Sequence, residues 1–269
     1  MMTTRRADRA PMFEFSQQRL TSVLDDIDVG RIRLPFFHRD WCWPSDHILN
    51  LLESISQGDP IGSMTFVRAT PLGTRVFDGV DRSAVLDRSP VHLVLDGQQR
   101  LTAAYQSCYK SVPVKIMSGA RPEQRLYFFD MKAALSSEHR LKDAIFSVAT
   151  KADGTPLQNR DINFTDPLVQ YERGVFPTTA IFEFDAYDRP YSKFWDNADS
   201  DARRSEALET LQEFRATVVT SFDNYRLSVD VSEQQMSDDV ICRIYEKLNS
   251  TRPSRIADAC VGEVLDFAN

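Results

Sequence analysis

The heptapeptide Asp96-Gly97-Gln98-Gln99-Arg100-Leu101-Thr102 gathers a carboxylate, a glycine, two primary amides, a guanidinium and a hydroxyl within seven positions. Upstream, Val91, Leu93 and Leu95 alternate with His92 and Val94, the period of a strand, while Leu101, Ala104, Tyr105 and Cys108 downstream share one helical face. The heptapeptide therefore sits where a strand ends and a helix begins. Such a junction exposes unpaired backbone N–H groups and the positive end of the helix dipole. A phosphate could rest on the amides from Gly97 to Gln99, with Gly97 permitting close approach and Arg100 adding a charge-assisted fork. Gln98 and Gln99 could bond a phosphate, orient a water or read a base edge. A plainer reading is equally open. Asp96-x-x-Gln99 has the form of a capping box, with Asp96 as N-cap and Gln99 reaching back to it. The two uses can coexist.

Positioning this turn requires a core, and the flanking sequence supplies one. Residues 1–12 read as a disordered arm, and from Ile32 the chain becomes densely apolar. Ile48, Leu51, Leu52 and Ile55 follow the spacing of a buried helix face, with Ser45 or Asp46 as candidate caps and Gly58 as its end. Pro60-Ile61-Gly62 then turns the chain into a strand over 63–67. Residues 69–90 carry Pro71, Gly73, Gly79, Pro90 and many charges, and read as a loop or exposed hairpin. Strands are expected near 112–116, 125–129 and 225–231, and helices near 166–172, 199–219, 236–248 and 254–268. The organisation expected is a mixed α+β core over 1–150 and a largely helical extension over 151–269.

The 39 acidic and 32 basic residues give a net charge of −7. That balance argues against a non-specific DNA-binding surface. The excess is local, however. Residues 196–239 hold 11 acids and 4 bases, whereas 1–195 hold 24 of each sign. Phosphate ligands at the turn are therefore not opposed by the surrounding charge. No apolar run is long enough to span a membrane, and because the polar start at 1–11 is followed by no apolar stretch, no secretory signal is expected. Cys42, Cys108, Cys242 and Cys260 are scattered, with no metal-ligand spacing. A reduced, cytoplasmic protein is expected.

Asp96 to Thr102 resembles the DGQQR signature of the DUF262 family, which includes the GmrSD type IV restriction enzymes and phosphorothioate-sensing restriction effectors. Three further stretches resemble family segments in order. Phe37-His38-Arg39-Asp40-Trp41-Cys42-Trp43 is similar to its aromatic-Q-R-x-aromatic-x-W, and Ser54-Ile55 with Gly58-Asp59-Pro60-Ile61-Gly62 to its SI..G.PIG. Ile244-Tyr245-Glu246-Lys247-Leu248-Asn249-Ser250-Thr251 is similar to its IFERLNST. The likeness covers about residues 30–260. It implies an α+β, ParB/sulfiredoxin-like mixed sheet with flanking helices and a largely helical second half. It also implies that the turn binds and hydrolyses a nucleoside triphosphate, GTP or ATP, with Mg²⁺, in a DNA-modification-sensing anti-phage system. Carried over by position, Asp96, Gln98, Gln99 and Arg100 are catalytic, with Asp96 also contacting the metal. Gly97, Thr102, Arg39 and Asn249 complete the nucleotide site. His38 stands where the family has Gln, and Arg252 where it has Gly. Sulfiredoxin-type reduction would need a cysteine in the turn, which Gln98 and Gln99 occupy.

The remaining candidates have bland readings. Trp41 and Trp43 share a face if extended, and either stack on a base or cover the core. Arg39 either contacts phosphate or pairs with Asp40 or Asp46. His92 is a half-exposed strand residue, His47 and His139 have no evident partner, and Cys108 is inert core. Lys247 and Arg255 flank Asn249 on a helix face. No HNH constellation is visible, and the sequence stops inside an amphipathic pattern at 264–269. A nuclease domain beyond the chain, or on a partner chain, is thus expected to reach the modified DNA, with homodimerisation open. Against the hydrolase stands a ParB-like alternative, in which the turn binds a nucleotide or DNA phosphate as a switch or scaffold without hydrolysis.

Overall fold

The computed structural model describes residues 13–250 apart from 86, 119–120, 137–139 and 158–161. The expected arm at 1–12, His139, Arg252, Arg255, the helix at 254–268 and the pattern at 264–269 lie outside the described residues. In chain order the elements are β1 (Glu14–Arg19), α1 (Leu20–Asp28), β2 (Ile32–Pro35), α2 (Ser45–Gln57), β3 (Met64–Arg68), β4 (Thr74–Arg75) and α3 (Arg82–Val85). Then come β5 (His92–Asp96), α4 (Gln98–Ala104), β6 (Val114–Ser118), β7 (Arg121–Asp130), α5 (Met131–Leu135) and β8 (Ile145–Thr150). The second half holds α6 (Pro167–Arg173), β9 (Val175–Pro177), α7 (Phe184–Trp195), α8 (Asp201–Phe214), α9 (Thr220–Asn224), β10 (Arg226–Ser232) and α10 (Asp238–Ser250). The fold is α+β, with a mixed six-stranded sheet, flanking helices and a mainly helical second half.

The six strands run in the order β1-β10-β3-β5-β2-β4, alternating antiparallel and parallel pairs. β5 is thus central, and β10, from late in the chain, lies between β1 and β3. A second, antiparallel sheet joins β6, β7 and β8, with β9 on β7. A division at residue 150 falls between β8 and β9 of that sheet.

Alternation along β5 and β3 sends side chains into two separate apolar layers. Val94 and Phe66 enter the large core with Ile48, Leu52 and Ile55 of α2 and Leu101 of α4. Leu93, Leu95 and Val67 face the other way, onto Met236 and Ile241, with Val240, Ile244 and Leu248 packed around them. α10 therefore covers the back of the sheet. The strand expected there is present as β5, and it is buried on both faces, at Leu93 and Leu95 on one side and Val94 on the other.

Several local expectations change for identifiable reasons. α2 ends at Gly58 in the left-handed conformation, as its spacing required, but its N-cap is Pro44 and no side chain caps it. Ser45 instead meets the Tyr127 and Ser147 hydroxyls across the sheet, at 3.0 and 3.2 Å. The stretch 69–90 contains β4, which closes the sheet edge on β2. β1, α1 and α7 were not anticipated, and Pro190 inside α7 interrupts the signal that Phe184, Tyr187 and Tyr191 carry. No described helix is long and apolar enough to cross a membrane.

Ile241 is fully buried between α10 and the sheet. Ile241→Ala is expected to lower unfolding free energy by about 3 kcal/mol in urea denaturation. A loss below about 1 kcal/mol would mean that α10 does not seal this face.

Candidate functional site

The site begins with an irregularity in β5. Phe66 pairs with Val94 but Thr65 pairs with Asp96, leaving Leu95 as an extra residue. This bulge re-aims the end of the strand just before the turn. Gly97 follows at φ 104°, and a Cβ there would lie 2.1 Å from Met64 Sδ. The space beside Gly97 is therefore filled by Met64, and the glycine answers a left-handed backbone and close packing, not an open ligand approach. The Gly97 N–H donates to Asp96 Oδ1 at 2.7 Å. The backbone N–H groups of Gln98 and Gln99 have no partner among the described residues.

The capping-box reading is overturned, because the N-cap of α4 is Gly97 and Gln99 does not reach back. Gln99 reaches across to the extended segment after β2. Its Nε2 donates to Asp40 O at 3.0 Å, and its Oε1 accepts from the Cys42 N–H at 3.1 Å. A primary amide offers a donor and an acceptor side by side, which matches a carbonyl and an N–H two residues apart. Gln98 Nε2 donates to Arg39 O at 2.8 Å, and its buried side chain also bears on the His38 ring. Arg100 turns to the other side. It donates to Ile61 O at 2.5 Å and Ser63 O at 3.0 Å, and pairs with Asp96 Oδ2 at 3.2 Å. Gly62, at φ 84°, is what admits the guanidinium, since a Cβ there would fall 2.5 Å from Nη1. Asp96 and Arg100 side chains retain 17% and 15% exposure, so the pair borders solvent.

Behind the amides lies His38, 8% exposed, its ring beside the Gln98 side chain and the Val94 backbone. Burial pushes its pKa down to about 4, with Arg75 and Arg39 adding to the fall and the Gln98 side chain and Val94 backbone opposing it. The ring packs edge-on against Tyr245 of α10, 4.8 Å between centroids. Burial raises the Tyr245 pKa, Asp96 adds to the rise, and the Arg39 amide with the charges of Arg39 and Arg75 pull against it. α10 thereby brings a phenol into the electrostatic reach of Asp96, Arg39 and Arg75. Asn249, one turn beyond Tyr245, donates to Tyr245 O at 2.9 Å. Thr102 is fully buried, and its hydroxyl has no partner among the described residues.

Sequence reasoning overlooked Arg75, which lies in the stretch taken for a loop or exposed hairpin. Its Nη2 donates to Arg39 O at 2.6 Å and His38 O at 3.1 Å, and it pairs with Asp40 and Asp78 at 3.8 and 3.7 Å. Asp40 thus pairs with Arg75, where Arg39 had been the expected partner. Tyr245 and Met64 were missed too, because neither type advertises a site in sequence. Trp41 is core, its indole donating to Lys115 O, whereas Trp43 is only half-buried. His92 pairs with Glu233 at 2.8 Å, and Cys108 is buried with its thiol pushed up to about 12 by desolvation. Lys247 is exposed. Among the described residues no group of three or more His, Cys, Asp or Glu side chains is placed to hold a metal.

The family described as "GmrSD restriction endonuclease, N-terminal domain" matches residues 20–253, and the chain belongs to it. The chain is also similar to the uncharacterized protein MJ0686 of Methanocaldococcus jannaschii, 27% identical over 160 residues, covering 56% of this chain. The matched region spans about a quarter of that relative, 26% of its length.

The pH dependence of stability should carry the signature of His38. The unfolded chain takes up this proton near 6.5, the folded chain only near 4. Stability contributed by the neutral ring is complete above pH 6.5 and lost as pH falls toward 4, by roughly 3 kcal/mol at the lower end. Urea denaturation of wild type and His38→Gln from pH 7.5 to 4 should give diverging profiles, and parallel ones would refute the assignment. Gly97→Ala is expected to cost about 3 kcal/mol from left-handed strain and overlap. In a Met64→Ala background about half of that cost should disappear; an unchanged cost would show that Met64 is not the obstacle.

Proposed function

We propose that the chain binds a nucleoside triphosphate, GTP or ATP, at the Asp96–Arg100 turn and hydrolyses it with Mg²⁺. In this reading it serves an anti-phage restriction system that senses modified DNA. The observation that carries it is a concentration of unpaired polar groups at one strand end. Among the described residues they are the backbone N–H groups of Gln98 and Gln99 and the Thr102 hydroxyl, beside the buried polar edges of Gln98 and His38, which bear on each other. Each buried unpaired group costs about 1–3 kcal/mol, so a site that keeps several gains by meeting a ligand or ordered water.

In this reading the Gln98 and Gln99 amides take phosphate oxygens at the start of α4, with Arg39 and Arg100 balancing their charge. Arg100, held rigid by two carbonyls and Asp96, stabilises charge developing on the transferred phosphoryl group. Gln98 orients the attacking water, a task for which Gln99 is already engaged at both ends of its amide. Gly97 sets the turn, and Thr102 and Asn249 complete the surround. Asp96 suits Mg²⁺, a hard cation that takes one carboxylate and fills its remaining positions with phosphate oxygens and water. Bound there, the metal would neutralise phosphate charge. Modified DNA would be engaged through a nuclease domain or partner chain, and a homodimer is one way to assemble it.

One observation favours the second reading, a nucleotide-binding switch without hydrolysis. Gln99 and Arg100 both act as clamps on backbone, which is what a switch that rearranges neighbouring segments would use. Phosphate release and calorimetry across the four triphosphates with Mg²⁺, with and without modified DNA, separate the two. Wild type is expected to release phosphate, and Arg100→Lys, which keeps the charge but loses the fork, to do so about 100-fold more slowly. Binding without release selects the switch, and equal turnover by Arg100→Lys refutes the role of Arg100.

A further inference from the structure

Beside the Asp96 turn, on the α2 side, lies an open recess of about 280 Å³. Trp43, His47, Asn50, Ser54, Ile61 and Arg100 line it. Its wall follows from helix periodicity. Ile48, Leu51, Leu52 and Ile55 turn α2 inward, so His47, Asn50 and Ser54 rise on the same outer stripe. Trp43 is placed by its neighbour, because the Cys42 N–H is held by Gln99 and the next residue leaves the clamped segment at the edge of the recess. Its indole stands edge-on to His47, 5.3 Å between centroids and 82° between planes. At the far end the Arg100 guanidinium is pinned on Ile61 O and Ser63 O.

The recess therefore offers an aromatic face, a side-chain amide able to donate and accept, a hydroxyl, and a fixed cation at the end leading to the turn. That combination matches a flat, heteroatom-edged ring joined to an anionic group. Its volume lies at the lower edge of the range for ligand pockets, about 300 Å³, which suits a base without its phosphates. Arg100 is common to the recess and the turn, so a ligand filling both places its anionic part at Asp96–Arg100. We propose that this recess is the base subsite of the nucleoside triphosphate, with the base against Trp43 and its polar edge toward Asn50. The subsite rests on the nucleotide reading above and extends it to how the nucleoside end is held.

Isothermal calorimetry on the full chain, with GTP, ATP and inorganic triphosphate in Mg²⁺, tests both layers separately. Trp43→Ala is expected to weaken GTP or ATP at least tenfold through lost stacking, while inorganic triphosphate binds it as it binds wild type. Asn50→Ala, at an exposed helical position that does not endanger folding, is expected to weaken the nucleotides about fivefold and leave triphosphate unchanged. Wild-type nucleotide affinity in both variants overturns the subsite but leaves the nucleotide reading standing. Equal losses for triphosphate and nucleotide also overturn it, since the recess would then act on phosphates. A wild type that binds neither nucleotide nor triphosphate overturns the nucleotide reading and the subsite together.

Discussion

Two irregular stretches of backbone, 39–42 and 61–63, meet at the end of β5, and neither can satisfy its polar groups through secondary structure. Buried carbonyl and N–H groups must nevertheless be paired. Gln98, Gln99 and Arg100 do this from consecutive positions of one helix start, the amides gripping the first segment and the guanidinium the second. The resemblance among separate motifs then has a physical reading. The aromatic segment at 37–43, the Pro60-Ile61-Gly62 turn and the Asp96 turn are the two sides and the hinge of one hydrogen-bonded junction. Gly62 and Gly97 are the places where that junction leaves no room for a Cβ.

The clamp leaves a surplus, and the surplus carries the functional reading. After Gln99 is fully spent and Arg100 is anchored, the first α4 amides and Thr102 Oγ1 still lack partners among the described residues, with the buried Gln98 side chain and His38 ring bearing on each other close by. His38 stays neutral because it is buried between cations, and Tyr245 closes over it from α10. A glutamine at position 38, as in the family pattern, would be indifferent to pH. Histidine keeps a similar polar edge but adds a titratable group to the wall of the site.

The second half of the chain is structural to this site. β10 enters the sheet beside β3, α10 seals the face behind β5, and Tyr225 donates to Asp59 O at 2.5 Å next to the Pro60 turn. The acidic excess of 196–239 is divided between exposed positions on and around α8, where Arg203 and Arg204 answer Asp199 and Asp196, and the stretch from Asp223 to Asp239, where Glu233 pairs with His92 of β5. The turn itself has Arg39, Arg75 and Arg100 in its neighbourhood.

Local pattern was enough to locate the strand-turn-helix at Asp96, the α2 face with its Gly58 stop, the strands near β6, β7 and β10, and α10. Each of these is written in consecutive residues whose apolar spacing or turn chemistry needs no distant partner. The same information could not decide what the turn's side chains do. Asp96-x-x-Gln99 fits a capping box as well as it fits a clamp, and only the arrival of 39–42 against α4 draws Gln99 away from its own helix. Arg75 was hidden in a charged stretch because its partners, His38 O and Arg39 O, are close only after β2 and β4 pair. Spacing determined which residues lie on one face of one element. Long-range packing decided which faces meet, and that in turn set which polar groups were consumed and which were left for a ligand.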